Sequence, residues 1–107
     1  MNIYNSILTF SNDFKNCDEV KEYKDLKKKV DENPENKNII DDFHKKLYDF
    51  QLAKANGEDV SEKEKQLNEL NQILMNNSEI AKFMAAEVRI STIMNDIIKM
   101  LEDTIKD

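Results

Sequence analysis

The side chains able to do chemistry are few and widely separated. His44 is the only histidine, in "DDFHKKL" at the flank of an apolar stripe. Metal binding or proton transfer there needs a second ligand or a base at defined spacing, and neither another histidine nor a cysteine pair exists. A surface histidine is the expected role. Asp41 and Asp42 are consecutive, so on one helix their carboxylates point to different azimuths and do not converge as a dyad. Cys17 could be a thiol activated by a helix N-terminus. It has no resolving partner, and a small residue at a helix junction is the simpler reading. Gly57 alone cannot build a phosphate loop, and no Ser, His and acid set has a local frame. No catalytic centre, metal or cofactor is expected.

Two other sets of residues carry more information. Glu87 projects into the middle of a broad apolar arc, with Ser91 one turn later and Asn95 and Glu102 near its edge. A carboxylate buried without a partner costs several kcal/mol, so Glu87 must pair with a donor or reach water at a seam. It reads first as a register pin and second as a charged contact for another protein. Met75, Met84, Met94 and Met100 could form an adaptable binding groove, although filling gaps in a helical core is the commoner use of methionine.

The elements that must position these residues are helical. One Gly and one Pro in 107 residues leave almost no punctuation for tight turns. Ile3, Ile7, Phe10 and Phe14 form one stripe, and Val20, Tyr23, Leu26 and Val30 a second on nearly the opposite side, so a break is required near "NCD" with Asp18 as N-cap. Asn33-Pro34 reads as an N-cap and first-turn proline. The helix that follows carries Ile39, Ile40, Phe43, Leu47 and Phe50, and Gly57 closes it. "SEKE" has the capping-box pattern, Ser61 with Glu64, ahead of Leu67, Leu70, Ile73 and Leu74. Asn76 to Ser78 then cap the last helix. The predicted helices cover 3–15, 18–31, 34–56, 61–75 and 78–105, as one all-α domain: an elongated antiparallel helical bundle whose long C-terminal helix lies at an oligomer interface.

That last helix, "SEIAKFMAAEVRISTIMNDIIKMLEDTI", carries an unusual load. Ile80, Phe83, Met84, Val88, Ile90, Ile93, Met94, Ile97, Ile98 and Leu101 spread over roughly 240° of its circumference, about twice what a surface helix needs. One side can pack on the chain's own helices, and the rest needs a second surface. Phe83, Met84, Glu87, Val88, Ile90, Ser91, Met94, Ile97 and Leu101 are the expected interface.

Composition sets the outer limits. With 39% hydrophobic and 36% charged residues the chain can fold around one core, and its net charge of −6 repels nucleic acid and anionic lipid. The single candidate for such binding is the basic run Lys21, Lys24, Lys27, Lys28 and Lys29, which is interleaved with Glu22 and Asp25. One cysteine fits a reducing, cytoplasmic setting. No apolar run approaches the ~18 residues of a membrane span, and "MNIYNSILTF" lacks the marks of a secretory signal.

The order of these landmarks carries a resemblance. Tyr23-Lys24 before the basic run, Asn33-Pro34-Glu35, the Phe43 to Gln51 segment with Gly57 after it, and Ala86-Glu87 opening the last amphipathic stretch resemble the YlbF/YmcA family of small bacterial helical proteins, most of all its YheA-type branch. The likeness covers nearly the whole chain and includes no catalytic motif. It implies an all-α domain that forms dimers or higher oligomers through long helices. It also implies kinship with proteins of a cytoplasmic complex that regulates RNA processing by a membrane-associated ribonuclease, and thereby development, competence and biofilm formation. The chain departs from the pattern twice. Relatives that bind an iron-sulfur cluster use several cysteines toward the C-terminus, where "IKMLEDTIKD" has none, so no cluster is carried over. Asn77-Ser78 stands where the family often has Asn-Pro.

The expectation is a non-enzymatic homo-oligomer that regulates or scaffolds other proteins without a small-molecule substrate. The alternative is a nucleic-acid or membrane-surface binder that uses Lys21 to Lys29.

Overall fold

A computed structural model describes residues 1–106. It contains five helices: α1 Ile3–Lys15, α2 Asp18–Asp31, α3 Pro34–Ala55, α4 Ser61–Met75 and α5 Ser78–Ile105. No strand occurs among the described residues.

Local chemistry explains most of the boundaries. Asn2 opens α1, its side-chain carbonyl accepting the Tyr4 N–H at 2.9 Å. Asn33 caps α3 by accepting the Asn36 N–H at 3.2 Å, with Pro34 as the first helical residue. Asn77 caps α5 by accepting the Ile80 N–H at 3.1 Å. Each cap satisfies an amide that the first helical turn leaves without a partner.

Three details differ from the sequence expectation. The cap position before α2 falls on Cys17, whose carbonyl accepts the Lys21 N–H at 3.1 Å. Asp18 is therefore the first helical residue, where with Glu19 it still suits the positive end of the helix dipole. Helix α3 ends at Ala55, one residue before the expected boundary, because Asn56 is already the C-cap. Gly57 follows at φ 76°, with its N–H on the Lys54 carbonyl and the Glu58 N–H on the Ala53 carbonyl. That pair of bonds is a Schellman motif, and the left-handed residue it requires is the one glycine.

The capping box does not form. Ser61 is the first residue of α4, and Val60 occupies the cap position without a side-chain bond. Asp59 takes the place expected of the Glu64 side chain, accepting the Ser61 N–H at 3.0 Å and the Ser61 hydroxyl at 2.7 Å on the same oxygen, while the Glu64 N–H donates to the Val60 carbonyl at 2.8 Å. These two bonds hold the Asp59 carboxyl below its ordinary pKa, the backbone bond contributing most. An Asx-type turn two residues upstream has outcompeted the serine cap.

The chain divides into two compact units, one of Met1–Lys27 with the stretch from Phe83 onward and the other Lys28–Lys82. In the second, α3 packs against α4 as a helical hairpin. Val30, Ile40, Ala53, Leu67, Leu74 and Ile80 are its buried apolar side chains, with Leu74 at 0% exposure. In the first, Val20, Phe83 and Ala86 are buried. The Phe83 ring meets Tyr23 edge-on at 5.6 Å, a favoured aromatic geometry. Glu22 and Arg89 join α2 to α5 by a 3.0 Å ion pair whose side chains are both more than half exposed.

Candidate interaction face

Chemistry-bearing side chains stay apart in the folded chain. His44 is half-buried beside Phe43, with ring centroids 6.4 Å apart. Asp42 pairs with Lys46 at 2.7 Å on the α3 surface, and Asp41 is exposed. Cys17 is a free, half-buried thiol. No group of three or more His, Cys, Asp or Glu among the described residues could hold a metal ion. The lysines at 21, 24, 27, 28 and 29 are all exposed on α2, with Asp25, Asp31 and Glu32 also exposed among or beside them.

The structure does bring together a polar cluster that spacing did not reveal. Asn36 is 7% exposed, and its amide is engaged at both ends: Nδ2 donates to Glu79 Oε1 at 3.1 Å, and Oδ1 accepts from Asn77 Nδ2 at 3.0 Å. Its backbone N–H is the one capped by Asn33. The cluster therefore ties the first turn of α3 to the first turn of α5, so that a buried polar group is satisfied rather than orphaned. The available signal was the pair of Asn caps opening two helices, but nothing in their spacing says that the two helix starts meet.

The broadest uncovered feature is apolar. Helix α1 has no buried residue: Ile3, Ile7 and Phe10 of its stripe are 60%, 48% and 48% exposed, and Tyr4 and Leu8 are more exposed still. Phe10 and Phe14 stack on each other at 6.1 Å. Ile7 and Phe10 face Ile97, Met100 and Leu101 of α5 across a groove of about 300 Å³, with Ser6 also on its wall. That groove lies between α1 and the later turns of α5.

The nine expected interface residues separate along α5. Phe83 is 4% exposed and belongs to the chain's own core, so it is withdrawn from the uncovered face. Met84, Glu87, Ile90 and Ile97 are half-buried, and Glu87 is engaged by a neighbouring group. Val88, Ser91, Met94 and Leu101 are exposed. Ile98, Met100 and Ile105 are equally open and were not on the expected interface. Ile98 and Ile105 had a signal in the sequence, since positions 94, 98, 101 and 105 recur at four, three and four, whereas Met100 lies off that repeat. None of Met75, Met84, Met94 and Met100 is buried, so the core-filling use expected of methionine does not hold here.

Eleven large apolar side chains of α1 and α5 are thus between 48% and 83% exposed. At roughly 180 Å² for a large side chain, they leave on the order of 1,000 Å² of apolar surface open, near the roughly 800 Å² that each partner contributes to a standard interface.

The geometry defines an all-α protein of five helices with large apolar side chains left open on α1 and α5 and no metal-binding cluster among the described residues. The family model described as "Control of competence regulator ComK, YlbF/YmcA" matches residues 3–106, and the chain belongs to that family. It is similar to the UPF0342 protein of Clostridium tetani, with 31% identity over 98% of this chain and 91% of the relative. The UPF0342 protein of Halothermothrix orenii is 34% identical over 94% of this chain and 86% of its own length. A UPF0342 protein of Clostridium novyi is 32% identical over all of this chain and 95% of its own length. No solved structure matches the chain. Among the described residues no helix is long and apolar enough to cross a membrane.

Proposed function

We propose that this chain is a non-enzymatic, self-associating helical protein of the cytoplasm that regulates or scaffolds other proteins. The observation that carries this reading is the open apolar face of α1 and α5. Apolar burial contributes about 25 cal/mol per Å², so a face on the order of 1,000 Å² left wet forgoes stabilisation comparable to the whole folding free energy of a small domain. A two-fold contact between copies is the commonest way to cover such a face. The family description, control of a competence regulator, supplies the regulatory direction. The resemblance to proteins that act on RNA processing and development points the same way. Among the described residues no converging set of catalytic side chains favours an enzyme.

The test is substitution within the face. Met94→Asp, at a position 51% exposed in the single chain, is expected to lower the assembled mass in light scattering while leaving the helical circular dichroism intact. Ile90→Asp is expected to do the same. An unchanged mass for both variants would overturn the reading.

A further inference from the structure

We propose that Asn56 is a site of spontaneous modification, losing its amide as ammonia and then adding water, and that the turn closing α3 sets the rate. Asn56 is the one asparagine followed by glycine, because Gly57 is the only glycine of the chain. With no Cβ on Gly57, its backbone nitrogen is unshielded from the side chain before it. The chemistry is an internal displacement. Base removes the Gly57 N–H proton, the nitrogen bonds to Cγ of Asn56, and Nδ2 leaves as ammonia. Water then adds to one carbonyl of the five-membered imide and breaks the bond from that carbon to the ring nitrogen. Attack at Cγ gives aspartate. Attack at the backbone carbonyl gives isoaspartate, in which Cβ has become part of the main chain.

The folded turn opposes the first step. Asn56 is the C-cap of α3, with ψ 2°. At that ψ the Gly57 nitrogen eclipses the Asn56 nitrogen, whereas ring closure requires it to eclipse Cβ, so the Asn56 Cα–C bond must rotate. The rotation swings Gly57 and Glu58 away together. It breaks both bonds of the Schellman motif, from the Gly57 N–H to the Lys54 carbonyl at 3.1 Å and from the Glu58 N–H to the Ala53 carbonyl at 3.0 Å.

Little else holds the turn closed. Residues 54–59 are exposed, and a Cβ built on Gly57 would meet nothing within 4 Å. A solvated helix end of this kind opens locally, without global unfolding. Ring closure is slow beside such opening, so its rate follows the population of the open turn. Ammonia loss is one-way. Either product puts a new carboxylate at the negative end of α3, with Glu58 and Asp59 next in sequence. The longer isoaspartate main chain also moves both Schellman donors off their acceptors.

Mass spectrometry of the full chain tests both the site and its gate. The protein is held at mildly alkaline pH, folded or in denaturing urea, then digested, and the aspartate and isoaspartate peptides are separated. In urea Asn56 is expected to convert before any other asparagine, including Asn5 and Asn77, which precede serines. In the folded chain its conversion is expected to be at least about ten-fold slower. Glu58→Pro keeps the Asn-Gly pair and removes one Schellman donor. Folded Glu58→Pro is expected to convert several-fold faster than the folded parent, with equal rates in urea. Should that variant lose helical signal, the parent in urea below its unfolding transition reads the same gate, through a rate that rises before the chain unfolds. Another asparagine converting first in denaturing urea would overturn the site. Equal folded and unfolded rates, a folded Glu58→Pro no faster than the parent, or a rate flat up to the transition would overturn the gate.

Discussion

Asn77, at the start of α5, donates from Nδ2 to the side-chain carbonyl of Asn36 at 3.0 Å, across 41 residues of sequence. With the Asn36 bond to Glu79, this contact sets where the longest helix of the chain begins. The open apolar stripe on α5 is therefore downstream of a helix start held by named polar groups.

Asn36→Ala removes the bridging amide and leaves Asn77 Nδ2 and Glu79 Oε1 to find other partners. The expected loss is about 1–3 kcal/mol in urea unfolding. Asn36→Asp should cost more at neutral pH, because it sets a carboxylate against Glu79. Equal stability of Asn36→Ala and the parent would show that the cluster is solvated in solution.

Gly57 isolates a backbone effect. Its φ is 76°, and a Cβ built there would meet nothing within 4 Å. Gly57→Ala therefore costs about 1 kcal/mol through backbone conformation alone, and Gly57→Asn costs less because asparagine tolerates that region better. The corresponding fall in Tm for Gly57→Ala is about 4–8 °C.

The α3–α4 connection should respond to acid through Asp59. Its folded pKa lies below the ordinary 3.8, held there by the Ser61 backbone N–H and then by the Ser61 hydroxyl. The folded state thus favours the ionised carboxylate, so its stabilising effect is present above the unfolded pKa and disappears as pH falls through the lowered folded value. Urea midpoints of the parent and Asp59→Ala should differ at pH 7 and converge in strong acid. Ser61→Ala should change less than Asp59→Ala at pH 7, the reverse of what a serine cap would give.

Core and surface positions one residue apart should also separate. Leu74 is 0% exposed, and Leu74→Ala is expected to cost about 2–5 kcal/mol. Ile73, 61% exposed on the same helix, should lose about 0.5 kcal/mol or less on the same change.

Helix number and most helix starts were legible because they rest on chemistry within a few residues, as at Asn33-Pro34 and Asn77. Ser61 misled because the pattern of Ser61 and Glu64 ignores Asp59, which reaches the same amide first. The apolar wheel of α5 reached a different limit. Phe83 and Leu101 are eighteen residues apart, five full turns, and so share one azimuth. Yet Phe83 is 4% exposed and Leu101 62% exposed. Periodicity repeats along a helix, while the neighbours that cover it do not, so the wheel could say that a second surface was needed without locating where the chain's own cover stops. Asn36 was invisible for a related reason, since its partners are set by tertiary contact.

Self-association through the open face is the central claim, and the mass in solution tests it most directly. Sedimentation equilibrium at micromolar concentration is expected to give at least twice the chain mass of 12.6 kDa. A single species of 12.6 kDa that stays folded would contradict the account.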